Sequence, residues 1–146
     1  MGSRLIDLAD LLVTHINGGS YSDSFTAERA IVPEYSLKDI ADLTVCVLPV
    51  GMSIETIRRG NDANVLNIDV LVLKKLDCST TATRDSEIDD MMVIMEELAD
   101  RIRVYTPAAS GSLMSSEFMP IYDPEYLETY NGFFGVIRTQ FLVSLA

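Results

Sequence analysis

The chain has 146 residues, of which 48% are hydrophobic. That is enough to bury a core in one domain, and it excludes a disordered chain. The formal net charge of −11 and a sequence pI near 4.3 give an acidic surface that repels nucleic acid and anionic lipid, which excludes both as direct ligands.

Residues 3–16 predict an amphipathic helix. Ser3 is the N-cap, Leu5, Leu8, Leu12 and Ile16 with Ala9 and Val13 form the apolar stripe, and Asn17-Gly18-Gly19 ends it. This stretch mixes acidic residues into its apolar pattern and has no cleavage-site motif, and no apolar run approaches the ~18 residues of a membrane span. The expectation is a soluble, intracellular protein. Gly2 fits a myristoylation signal only in part, because Ile6 stands where Ser or Thr is wanted. A polar turn, Ser20 to Asp23, precedes a strand over 25–32 that Pro33 and Tyr35 end. Ser36 to Asp39 reads as one or two helical turns. A strand over 43–48 is broken by Pro49 and Gly51, and 54–58 forms another. Gly60-Asn61-Asp62 is a turn signal. The longest strand covers 64–76, with Ile68, Val70 and Val72 on one face and Asp69, Leu71 and Leu73 on the other. Being apolar on both faces, it predicts a central strand covered on both sides.

Residues 77–84 read as a loop and 86–104 as a second helix. Glu87, Asp89 and Asp90 load its first turn, Arg101 and Arg103 its last, and Glu97 and Arg101 form an i, i+4 pair. Its stripe runs from Ile88 through Met91, Met92, Met95, Leu98 and Ala99 to Ile102. Residues 107–112 connect to a strand over 113–122, a short helix to Tyr130, and a last strand over 133–145. That strand carries Phe133, Ile137 and Phe141 on one face and Val136, Arg138 and Gln140 on the other. Short turns between strands predict a mainly antiparallel sheet with two long amphipathic helices packed on one face, an α+β fold over residues 1–146 as one domain.

Chemistry-bearing motifs are scarce. The sequence has no G-x-S-x-G, P-loop, G-x-G-x-x-G or H-E-x-x-H motif. One histidine, His15, and two separated cysteines, Cys46 and Cys78, do not make a common zinc site. Cys46 reads as a buried free thiol, and the pair fits a reducing compartment, with a disulfide between them as the alternative. Asp85 to Asp90 lacks the glycine and ligand spacing of a calcium loop and reads as a solvated helix start. No catalytic residue, cofactor or metal is expected. Arg58 and Arg59 beside Gly60 fit an anion site, a charged hairpin end, or a salt bridge to an acidic neighbour. Met91, Met92 and Met95 fill a core or serve an adaptable surface. Tyr122, Tyr126 and Tyr130 with Phe133 and Phe134 anchor either a core or an interface. The last strand, read as a long apolar edge, needs covering, and an adjacent subunit is one solution.

In order and wording the segments LIDLADLLVTHIN, SFTAERAIVP, DVLVLKKLD, EIDDMMVIMEELADRI and PIYDPEYL resemble the tail terminator, or tail completion, proteins of long-tailed bacteriophages and prophages, over roughly residues 4–143. The resemblance implies a small α+β virion subunit, assembled in the host bacterial cytoplasm. Six copies would form a ring at the head-proximal end of the tail. It would stop tail-tube polymerisation and join the tail to the head-completion or neck protein, with DNA passing through the lumen without specific binding. The loops over 50–63 and 77–84 would reach those partners. A head-closure or adaptor subunit of the neck is the near alternative, and a cytosolic protein-binding module the distant one. Candidate subunit and partner contacts are Glu28, Arg29, Arg58, Arg59, Tyr122, Tyr126 and Arg138. Glu28 and Arg29 are adjacent in a strand and so face opposite sides, which keeps them out of one shared pocket.

Overall fold

A computed structural model of the chain describes residues 3–30, 43–58, 61–105, 112–118, 123–125, 127 and 131–144, with the backbone alone at 54–58, 61–63, 112–115, 143 and 144. In chain order the elements are α1 (Arg4–Asn17), β1 (Ala27–Arg29), β2 (Thr44–Arg58), β3 (Asn61–Lys75), α2 (Thr81–Arg103), β4 (Ser112–Phe118) and β5 (Gly132–Ser144). The strands form one five-stranded sheet in the order β1-β2-β3-β5-β4. Every pairing is antiparallel except that of β1 with β2, so the fold is α+β with a mixed, mostly antiparallel sheet.

The alternation of β3 decides the layers. Leu66, Ile68, Val70 and Val72 join Val45 and Val47 of β2 and Phe133, Ile137 and Phe141 of β5 on one face. There they pack with Leu8, Leu12 and Ile16 of α1 and Met91, Ile94, Met95, Leu98 and Ile102 of α2. Full burial of each such side chain contributes about 1.5–3 kcal/mol. On the other face Cys46, Leu71, Leu73 and Val136 form a second, smaller cluster bordered by Ala30, Leu48 and Phe134. β3 is therefore central and buried on both faces, as its composition predicts. Met91 and Met95 are core residues, 2% and 0% exposed. Cys46, which is buried, and Cys78 are not joined in a disulfide.

Several expectations change. β2 is one strand where two were expected: the chain absorbs Pro49 and Gly51 in a bulge at Val50 and continues. Proline lacks an N–H to donate, and strands accommodate it at bulges and open edges. Residues 50–58 and 61–63 are thus hairpin strands rather than a loop. α2 starts at Thr81, not Ser86, because Thr80 caps it: its side chain accepts from Thr83 N at 3.1 Å. The expected 77–84 loop shrinks accordingly, and no acidic residue lies in the first turn. Glu97 and Arg101 do not form the expected pair. Glu97 accepts from Ser22 N (3.1 and 3.2 Å), and Arg101 Nε donates to the carbonyl oxygen of His15 (3.0 Å). β1 covers Ala27–Arg29 of the predicted 25–32, of which 31 and 32 fall outside the described residues. β4 is described from Ser112 to Phe118, and the rest of the predicted strand, 119–122, falls outside the described residues. β5 is no edge: β3 lies on one side of it and β4 on the other. The helical turns expected at 36–39 fall outside the described residues.

The chain reverses before β5 at Asn131, whose φ of 52° is left-handed. Asparagine tolerates that conformation better than most residues.

Candidate assembly surface

The two outer strands of the sheet are built differently. At the β1 side, the Asn17 side chain at the end of α1 acts as a substitute strand. Its Nδ2 donates to the carbonyl oxygen of Ala27 (3.1 Å), and its Oδ1 accepts from Ala27 N (2.7 Å). Arg29 is drawn back onto α1, where Nε donates to Asp10 Oδ1 at 2.6 Å. Both groups are part-exposed, so this pair contributes about 0–1 kcal/mol. Glu28 points to the opposite side and is exposed. Of the adjacent charges at 28 and 29, then, Arg29 has an ionic partner among the described residues.

β1 pairs with β2 only over Val45, Cys46 and Val47, with Ala30 N adding a bond to the Val47 carbonyl. Beyond that point, among the described residues, the outer side of β2 has no neighbouring strand. β2 and β3 run on together as an arm to the register pair Arg58–Asn61. Val50 and Met52 lie on this stretch, 54% and 51% exposed. At the opposite side of the sheet β4 pairs with β5 from Leu142 to Ile137 and carries the exposed Phe118.

Across the face away from the helices, Leu48, Asp69, Arg138 and Glu117 occupy one register row. Arg138 reaches Asp69 with two bonds, Nε to Oδ1 at 3.2 Å and Nη2 to Oδ2 at 3.3 Å. Hydrogen bonding to Asp69, then its charge, push the guanidinium above its ordinary value, with Glu117 adding to the rise. Asp69 is buried and Arg138 about half exposed, so the pair fixes the β3–β5 register while presenting a cation at the surface. Thr139 is fully buried and donates to the Ile68 carbonyl oxygen at 2.6 Å.

His15 holds the helix ends together. Its Nε2 donates to the Arg101 carbonyl oxygen (2.7 Å), and its ring lies tilted at 45° against that of Tyr105, the centroids 4.7 Å apart. The Arg101 side chain and Tyr21 crowd Gly19, where an added Cβ would meet Tyr21 Oη at 2.7 Å. A cleft of about 360 Å³ between the 22–23 turn and α2 is lined by Asp23, Lys74, Asp90 and Met91 among others. Among the described residues no cluster of three or more His, Cys, Asp or Glu side chains is placed to hold a metal ion. No described helix is long and apolar enough to cross a membrane.

The predicted contact residues are not brought to one place. Glu28 and Arg29 lie at the β1 edge, Arg58 closes the far end of the arm, and Arg138 lies on the open sheet face. Arg59, Tyr122 and Tyr126 lie outside the described residues. Sequence reasoning missed Asn17, which it read only as a helix stop, and Asp10 as the partner of Arg29. A position at the end of a helix does not reveal which backbone an amide will meet.

No protein-family model matches the sequence, and no curated protein matches it significantly. Among solved structures, the chain is similar to a sheath/tube terminator of an extracellular contractile injection system (PVC), determined by electron cryomicroscopy in the extended state. The identity is 12% and the TM-score 0.37, over all of this chain and 57% of that one. The chain therefore spans little more than half the length of that protein.

Proposed function

We propose that the chain is a structural subunit of a phage-type tail. Its copies form a ring, six-membered in this reading, at the head-proximal end of the tail. The ring ends tail-tube polymerisation and joins the tail to the head or neck. DNA passes through the lumen without specific binding, which suits a surface of net charge −11. The subunit works without a cofactor and catalyses no reaction. Its place is the virion.

The observation that supports this best is the β2–β3 arm, a long hairpin whose outer edge beyond Val47 has no neighbouring strand among the described residues. Open edges are template surfaces, and a stable native protein occupies or blunts them. Alongside it stands the sequence resemblance carried by SFTAERAIVP, DVLVLKKLD and PIYDPEYL. The test is to add the purified protein to polymerising tail-tube protein and measure tube lengths by electron microscopy. Tubes should stop growing and carry a ring at one end. Unchanged growth with no bound ring defeats the proposal.

A further inference from the structure

We propose that the hairpin end of the β2–β3 arm, residues 54–58 and 61–64, opens as a unit while the rest of the sheet stays folded, and that the buried amide of Asn64 drives this opening. The opening is a property of the single subunit, whatever that subunit assembles into.

Three observations carry this. The first is an unpaired amide. Among the described residues the buried polar side chains are those of Asn64, Asp69 and Thr139. Asp69 holds Arg138, and Thr139 donates to the Ile68 carbonyl oxygen. Asn64 is 1% exposed, and among the described residues neither its Oδ1 nor its Nδ2 has a partner. Burial has taken water from the amide and put nothing in its place, and opening returns the water. The closed hairpin end therefore carries a cost that the open one does not. The second observation is the ladder. β2 and β3 fall out of step between Pro49 and Gly51 and again between Thr56 and Arg58, so two irregularities bracket the hairpin end. A bulge leaves a residue unpaired and disrupts the bonding around it. The third is burial. Val45 and Val47 of β2 are buried in the core, whereas Val50 and Met52 are half exposed. Among the described side chains of β2, deep burial stops at Val47, and a stretch with few buried apolar contacts opens first.

On β3 the boundary falls between Asn64 and Leu66. Leu66 is fully buried, and its β5 partner Phe141 meets the ring of Tyr105 edge-on, the centroids 6.1 Å apart. That contact ties the strands to the helix layer and stops the opening there. Opening gives up the register pairs Ile54–Asn64 and Asn64–Val143, with those beyond them, in exchange for hydration of the amide.

The experiment is native-state amide hydrogen exchange of the full chain by NMR, read at Ala63 and Val65 against Val70 and Val72. All four lie on β3 between the same two neighbouring strands. In the unaltered chain Ala63 and Val65 should be the less protected pair. Asn64→Leu should slow exchange at both by roughly fivefold or more. Asn64→Val supplies the same reading if the bulk of leucine disturbs the fold. Ile94→Val, a change in the buried body of the core, should speed exchange at Val70 and Val72 and leave Ala63 and Val65 as they were. The proposal is overturned if all four amides are equally protected. It is overturned if removing the amide leaves Ala63 and Val65 unchanged, which would mean fraying that stops short of Asn64. It is also overturned if Ile94→Val speeds all four alike, since the hairpin end would then have no opening of its own.

Discussion

Asn64 is an amide in an apolar place. It shares the face of Leu66 and Ile68, is 1% exposed, and among the described residues neither its Oδ1 nor its Nδ2 has a hydrogen-bond partner. A buried amide left unsatisfied costs about 1–3 kcal/mol. Asn64→Leu, close in volume, is therefore expected to raise stability by roughly 1–2 kcal/mol in urea denaturation. A loss would show that the amide serves a partner of its own. Tyr105 presents the same case, since its hydroxyl is buried and unpartnered, and burial raises its ionisation above the ordinary 10.0. The unfolded chain then loses that proton first, so stability falls as pH rises past 10.0. Tyr105→Phe should flatten part of that fall in a pH series of melts. A remainder is expected from Tyr21, which burial shifts in the same direction. Arg138→Ala leaves Asp69 buried without its guanidinium and should cost roughly 1–3 kcal/mol by denaturant titration. Arg138→Lys should recover only part, lacking the fork that makes two bonds. The faces of these residues were legible by alternation. Their partners were not, because the β3–β5 pairing joins residues some seventy positions apart.

At the scale of elements, the start of α2 shows what the sequence hides. The run TATRD has modest helix propensity and reads as loop, yet one hydroxyl at Thr80 lets the helix begin there. Thr80→Ala should cost about 1 kcal/mol. Amide exchange over residues 81–85 should rise while that over 91–102 stays protected. If exchange rises evenly along α2, the cap is not what sets its start. The continuity of β2 was hidden for a similar reason. Proline and glycine punctuate most strands, but here they fall where β2 has lost its β1 neighbour and a bulge is free to form. The central place of β3 was legible because it is apolar on both faces. β5 was misread as a long apolar edge because its second face alternates poorly, whereas β3 and β4 flank it and Arg138 on that face finds Asp69.

For the whole molecule the governing quantity is charge. Copies carrying −11 each repel, so the self-association proposed for the ring works against a long-range force. Raising salt from about 0.01 to 1 M shortens the screening length from about 30 Å to 3 Å. The dissociation constant of the assembly is therefore expected to fall with salt, as read by sedimentation. A rise instead would mean that ion pairs dominate the interface. The α+β class and the paired layers could be read from periodicity. Strand order could not, since nothing local in the sequence says that β5 inserts between β3 and β4.

The Asn17 bracket on Ala27 also has a consequence in time. It closes a loop of only ten residues, which forms in about 10–100 ns. The β3–β5 ladder must wait for a far larger loop and for most of the chain to emerge from the ribosome. The outward backbone groups of β1 at Ala27 thus have a partner close in sequence, within reach before the sheet exists. β4 finds its place in the sheet only at the end, once β5 has come to lie between it and β3.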